Sequence, residues 1–163
     1  MSVNLMLEVG CGTKAKGKQY AFDPKIKADV YVDIEKPEVK IDSFVLADAQ
    51  FLPFKDKAFI NVYASHLIEH LPNPLKFLKE ARRVSYGKLY LWLPNKFGKG
   101  AHQDPSHLHT FTYFSLKKLL KKAGYSSFHA PNITISGKLP KFIRRILMIM
   151  LSIFLEELQI IAW

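Results

Sequence analysis

Leu7-Glu8-Val9-Gly10-Cys11-Gly12-Thr13 decides how this chain is read. A nearly continuous apolar run from Val3 to Val9 stops at two glycines that bracket Cys11. That is the pattern of a strand buried on both faces that ends in a turn. Glycines at such a strand end let the backbone approach a ligand that a β-carbon would hold off. Glu8 puts a carboxylate two residues before the first of them.

The rest of the chain alternates. Val30–Ile34, Phe44–Ala47, Phe59–Ala64 and Gly87–Leu93 predict strands from their β-branched and aromatic content. Asn73-Pro74 predicts a helix start, with Leu75, Leu78, Ala81 and Val84 on one face. Ser115 predicts a second helix cap, with Leu116, Leu119, Leu120 and Ala123 inward and Gly124 as the stop. Ser126–Ser136 reads as extended. Lys141–Leu155 reads as a third helix, apolar nearly all round, and Leu158–Trp163 as a final strand. The implied fold class is α/β: a Rossmann-like, mostly parallel sheet with helices on both faces. Ligands in such sheets bind at the carboxyl ends of the strands, near the switch in strand order. No repeat or linker divides the chain, so one domain over 1–163 is expected, close to the minimum for the fold.

Composition bounds the function. The 163 residues are 48% hydrophobic and 23% charged, which excludes a disordered tail. The single cysteine, Cys11, excludes a disulfide scaffold and a multi-cysteine zinc knuckle. No secretory leader opens the sequence. The longest apolar run, Ile146–Leu155, is far shorter than the roughly 20 residues that span a bilayer. A cytoplasmic protein is expected, with no transmembrane segment. The net charge of +10 is mostly lysine. It admits a nucleic-acid partner, but no arginine-aromatic stripe accompanies it. Lys117, Lys118, Lys121 and Lys122 fall on the outer face of the second helix and are explained by solvation.

The glycine loop has two readings. Gly10-Cys11-Gly12-Thr13-Lys14-Ala15 fits G-x-G-x-x-G/A, which points to an NAD-dependent oxidoreductase. Gly17 and Pro24 interrupt the following stretch, which argues against a helix N-terminus to hold a pyrophosphate. The second reading comes from residues taken in order. Asp33 ends the second strand, about 20 residues after the glycines, and Asp23 in Tyr20-Ala21-Phe22-Asp23-Pro24 is its rival. Asp48-Ala49 follows the third strand and runs into Leu52-Pro53-Phe54. Ser65-His66-Leu67-Ile68-Glu69-His70-Leu71 follows the fourth. Asp104-Pro105-Ser106-His107 through Phe111 leads into the second helix and Ala123-Gly124-Tyr125.

This series resembles the class I S-adenosylmethionine-dependent methyltransferases, in particular the small type-11 domains. It departs at Lys14, where a third glycine is frequent, and at Ala58-Phe59-Ile60, where Ser-Phe-Asp is usual. The resemblance implies S-adenosylmethionine as cofactor. Glu8 and the backbone of Gly10, Cys11 and Gly12 would hold its methionine end, with Ser65 and His66 nearby. Asp33 or Asp23 would bind the ribose, and Asp48 with Ala49 the adenine. The methyl group would pass to an O or N atom of an acceptor, a small molecule first, then RNA or a protein side chain. The Asn/Asp-Pro-Pro-aromatic signature of amino-directed DNA methyltransferases is absent.

His107 and His109 are the candidate catalytic bases, since imidazole titrates near neutrality; a hydrogen-bonded loop is the plainer role for this segment. His102, His107, His109 and Asp104 carry metal-ligand types, and His66–His70 spells H-x-x-E-H. That motif requires a helix, whereas this segment follows a strand and is cut by Pro72 and Pro74, so no metal is expected. The apolar helix near 140–155 is expected to be a lid, a homodimer contact or a peripheral membrane contact. A non-catalytic nucleic-acid or partner-binding module on the same fold remains the other class.

Overall fold

A computed structural model describes residues 5–12, 28–38, 40–131 and 140–163. The rival ribose acid Asp23, the lysines near the glycine loop, Gly17, Pro24 and the end of the Ser126–Ser136 segment lie outside the described residues. Seven strands form one sheet: β1 (Met6–Val9), β2 (Val30–Asp33), β3 (Phe44–Leu46), β4 (Phe59–Ser65), β5 (Ser85–Pro94), β6 (Phe128–His129) and β7 (Glu157–Ala162). Their order is β3-β2-β1-β4-β5-β7-β6. The first five are parallel, and β7 runs antiparallel to both β5 and β6. The chain therefore steps outward from β1 in one direction through β2 and β3, then in the other through β4. The switch point lies between β1 and β4.

The described helices are α1 (Pro74–Val84), α2 (Gly100–Gln103), α3 (Tyr113–Lys122) and α4 (Lys141–Phe154). Asn73 caps α1, its side chain accepting from the Lys76 amide at 3.1 Å, and Pro74 takes the first helical position, where no N–H is missed. Phe77, Leu78, Ala81 and Val84 of α1 are fully buried, as are Leu116 and Leu120 of α3. The two helices touch each other, and α1 packs on β5. The Tyr125 hydroxyl ties the end of α3 to α1 by donating to the Leu78 carbonyl at 3.3 Å.

Three details differ from the sequence expectations. The cap of α3 is Thr112. Ser115 is its partner in a capping box, each side chain bonding the other's amide. β5 starts at Ser85, directly from α1, and the register slips between Phe59 and Asn61 of β4. Asn61 Oδ1 meets that bulge by accepting from the Lys88 amide at 2.9 Å. The short helix α2 interrupts the loop after β5.

Arg83, on the last turn of α1, holds the segment that follows Asp48. Its guanidinium donates to the carbonyls of Leu52 (2.9 Å) and Phe54 (2.7 Å) and to both oxygens of Glu80. Glu80 also accepts from the Leu52 amide at 2.9 Å. Arg83→Ala is expected to cost about 1–3 kcal/mol, since it strands two carbonyls and a carboxylate. Thermal unfolding should show a fall of roughly 2–4 °C per kcal/mol. The hydrogen bonds from Arg83 hold the Glu80 carboxyl below its ordinary value. A carboxyl lowered in the folded state contributes stability above its unfolded value, and loses it as pH falls through the folded one. Glu80→Gln should flatten that acid limb of an unfolding curve.

Candidate functional site

The carboxyl ends of β1, β2, β3 and β4 converge on one edge of the sheet. Gly10 and Gly12 both take left-handed backbone, φ 77° and 78°, a conformation that side chains disfavour. A β-carbon on Gly10 would also press on Leu67 at 3.0 Å, whereas one on Gly12 would meet nothing within 4 Å. The turn is closed from β2. The Gly10 amide donates to the Val32 carbonyl at 2.8 Å. The Gly12 amide donates to Asp33 Oδ2 at 2.8 Å, and the Glu35 amide to Asp33 Oδ1 at 3.1 Å. Asp33 thus braces the glycine turn and keeps further lone pairs on each oxygen.

Beside it, Glu8 is half-buried, and burial pushes its carboxyl above the ordinary range. Cys11 lies against both acids. Burial, then Asp33, then Glu8 push its thiol up to about 12, so the sulfur stays protonated at neutral pH and is no nucleophile.

Asp48 opens the turn after β3. Its carboxylate accepts from the Gln50 amide at 2.8 Å and from Gln50 Nε2, while Gln50 Oε1 accepts from the Asn73 amide at 3.0 Å. The turn is therefore fastened to the cap of α1, and Ala49 is buried within it. Ile34, Leu46 and Phe51 stand 69%, 61% and 63% exposed beside Asp33 and Asp48. Ile34 directly follows Asp33, and Leu46 and Phe51 stand two residues before and three residues after Asp48.

At the switch point, the Ser65 hydroxyl is buried and has no hydrogen-bond partner among the described residues. His66 follows with φ 47°, an uncommon backbone for a non-glycine residue. Its ring lies between two carboxylates, Nδ1 at 3.5 Å from Glu69 and Nε2 at 3.6 Å from Glu157. Trp92 Nε1 donates to the same Glu157. A cavity of about 460 Å³ opens here, lined by His66, Gln103, Asp104, His107, Glu156 and Glu157 among others, a volume suited to a small molecule. Gly98 packs against Glu156 of the cavity wall, where a β-carbon would lie 2.4 Å from the Glu156 carbonyl.

His107 lines the cavity, with Nδ1 at 3.2 Å from the Ala101 carbonyl and Nε2 at 4.0 Å from Asp104. His109 is not among the lining residues. Its amide and that of Leu108 donate to the Glu69 carbonyl at 3.0 and 2.9 Å. Asp104 is held below its usual range by hydrogen bonds from the Ser106 hydroxyl and amide. His70 meets the same loop, Nδ1 at 3.0 Å from Ser106 Oγ, and stacks edge-on against His107 with ring centres 4.7 Å apart. Among the described residues, Glu69, His70 and His107 each offer one ligand atom, all within 4.8 Å of one another. No described helix is long and apolar enough to cross a membrane.

The family model described as "Methyltransferase domain" matches residues 7–91. Among curated proteins, the chain is 34% identical over 82 residues to the uncharacterized protein MJ1123 of Methanocaldococcus jannaschii. That match takes in 48% of this chain and 38% of the relative, so the chain spans well under half of that protein. Among solved structures it is similar to a SAM-dependent methyltransferase from Archaeoglobus fulgidus, with TM-score 0.67 and 21% identity over 98% of this chain and 85% of that one. It is similar also to a chain of the complex between the Haloferax volcanii Trm112 methyltransferase activator and a methyltransferase. There the TM-score is 0.64 at 15% identity, over 98% of this chain and 81% of the other.

Proposed function

This chain belongs to the methyltransferase-domain family, whose cofactor is S-adenosylmethionine, and from that premise we propose that it moves the cofactor's methyl group to an oxygen or nitrogen of an acceptor. One observation carries the reading. A left-handed glycine turn, two strand-end carboxylates and an orphaned buried hydroxyl, Ser65 Oγ, line up along the carboxyl ends of β1 to β4, and a cavity opens at the neighbouring His66.

These residues fit the cofactor. The Gly10-Cys11-Gly12 backbone, Glu8, Ser65 and His66 hold the methionine end, and the Glu8 carboxylate suits its ammonium group. Asp33 takes the ribose hydroxyls; Asp23 is the alternative. Asp48 accepts from the adenine amino group and the Ala49 amide donates to the ring. Ile34, Leu46 and Phe51 offer apolar surface to the base. When bound, the cofactor supplies an electrophilic methyl group on a sulfonium.

The residues across the cavity position the acceptor. Methyl transfer by in-line displacement depends chiefly on that placement. His107 and His109 are assigned as the imidazoles that take the acceptor's proton. His107→Ala and His109→Ala should leave S-adenosylhomocysteine affinity unchanged, and at least one should lower kcat by about 100-fold or more. Full turnover in both removes the base assignment and leaves methyl transfer standing.

Glu8→Gln separates stability from binding. A carboxyl raised in the folded state is costly once ionised, so its contribution is present at acid pH and lost as pH rises through the folded value. The variant should therefore melt higher at neutral pH. It should also bind S-adenosylhomocysteine at least about 10-fold more weakly, having lost a charged hydrogen bond.

A small-molecule acceptor is favoured because the cavity is of that size; RNA or a protein side chain comes next on the charge of +10. The exposed apolar residues Phe142, Ile146, Met150 and Phe154 of α4 make that helix the assigned lid or contact element, for a second copy or a membrane surface. A single domain over 1–163 and a cytoplasmic setting complete the proposal. Incubation with S-adenosylmethionine and a panel of amines, alcohols and RNA, read by mass spectrometry as S-adenosylhomocysteine formed, tests it. Acceptor-dependent turnover supports it, and a chain that binds the cofactor yet methylates no member of any class counts against it.

A further inference from the structure

Glu69 is out of place as an ordinary core residue. It is 2% exposed, and neither carboxylate oxygen accepts a hydrogen bond among the described residues. A carboxylate taken out of water without such partners is costly. His66 Nδ1 stands 3.5 Å from Glu69 Oε1, beyond good hydrogen-bond geometry. The Glu69 carbonyl receives both the Leu108 and the His109 amides. Its side chain is thus held in place by the same loop that brings His107 alongside.

Two imidazoles face it. His107 Nδ1 is engaged at the Ala101 carbonyl and His70 Nδ1 at the hydroxyl and carbonyl of Ser106, while Asp104 stands 4.0 Å from His107 Nε2. Engagement of one ring nitrogen by a carbonyl or hydroxyl fixes the ring and leaves Nε2 with a lone pair, the usual second partner of a metal-bound histidine.

We propose that Glu69, His70 and His107 form a binding site for a divalent first-row transition-metal ion of the zinc or cobalt type, beside the cavity. One carboxylate and two imidazoles are ligands suited to such ions and poor ones for magnesium or calcium. Metal–ligand bonds of about 2.0–2.2 Å require the three atoms, now within 4.8 Å, to draw together by roughly 1 Å. Side-chain rotation of that size moves no strand. Three protein ligands leave at least one position for water or a ligand atom, and His107 puts the ion at the cavity wall. An ion there takes the His107 Nε2 lone pair, so His107 can accept a proton only when the ion is absent. The site joins the segment after β4 to the loop after α2, so an ion would also fasten that loop.

The proposal does not rest on methyl transfer. The test uses untagged protein stripped with chelator and titrated with Co²⁺ followed by visible absorption, then with Zn²⁺ followed by native mass spectrometry. One ion per chain is expected. Glu69→Gln, which keeps the side chain's shape, and His70→Ala and His107→Ala should each weaken binding by about 10–100-fold or more. His102→Ala, an exposed histidine of the same loop, should bind as the parent does. S-adenosylhomocysteine affinity, measured on the same samples, shows that each variant is folded and keeps the outcome separate from the methyltransferase reading. A parent that takes up no ion overturns the site. So does ion binding that survives all three substitutions, or that is lost equally in His102→Ala.

Discussion

Asp33→Ala will weaken S-adenosylhomocysteine binding by about 100-fold or more, the largest effect on cofactor binding expected of a single substitution. The carboxylate acts in two directions. Inward, its oxygens hold the Gly12 and Glu35 amides and so set the glycine turn. Outward, each keeps a lone pair, which the proposed cofactor site gives to a ribose hydroxyl. Hydrogen bonds to a charged group are worth about 1.5–3 kcal/mol each, and two of them account for a factor of 100 or more. Asp33→Asn keeps one acceptor oxygen and should fall between parent and alanine variant. Isothermal titration calorimetry reads both. Unchanged affinity in Asp33→Ala moves the ribose contact elsewhere, to Asp23 first.

Gly87→Ala is expected to have the largest effect on stability and little on binding. A β-carbon at Gly87 would lie 2.2 Å from the Ile60 carbonyl oxygen and 2.9 Å from Asn61 Oδ1. The first of these is backbone at the start of the β4–β5 pairing and cannot rotate away. Overpacking of this kind costs about 1–3 kcal/mol, and about 3 kcal/mol or more when backbone must move, so a fall in Tm of roughly 6–12 °C is expected. Gly87 sits at the start of β5, and the cofactor residues lie at the opposite, carboxyl ends of the strands. Affinity for S-adenosylhomocysteine, measured well below the melting range, should therefore match the parent. An unchanged Tm would mean that the bulge between Phe59 and Asn61 is not built as described.

The parts of the fold that the sequence announced are those carried by local signals. The apolar run into Gly10-Cys11-Gly12, the Asn73-Pro74 start and the alternation of strands and helices each state their structure within a few residues. Thr112 was missed as the cap of α3 because Ser115 offers the same chemistry three residues on, and only the backbone decides between them. The Gly87 bulge was not legible, because it depends on which residues of β4 lie opposite. α2 carries no hydrophobic period long enough to read. In the site, the acids were visible by their place at strand ends. The Asp48–Gln50–Asn73 connection was not, since it joins residues far apart in sequence. Glu69 is the clearest case. In sequence it is the acid of an H-x-x-E-H run that lacks the helix the motif requires, and burial without a hydrogen bond is what singles it out.

The account rests most directly on the cofactor. Calorimetric titration of the chain with S-adenosylhomocysteine, with NAD as the control, addresses it in one experiment. Saturable binding of one S-adenosylhomocysteine per chain and none of NAD is the expected result. Binding of NAD alone would assign the glycine turn to a dinucleotide, and binding of neither would contradict the cofactor site built on Gly10, Gly12, Asp33 and Asp48.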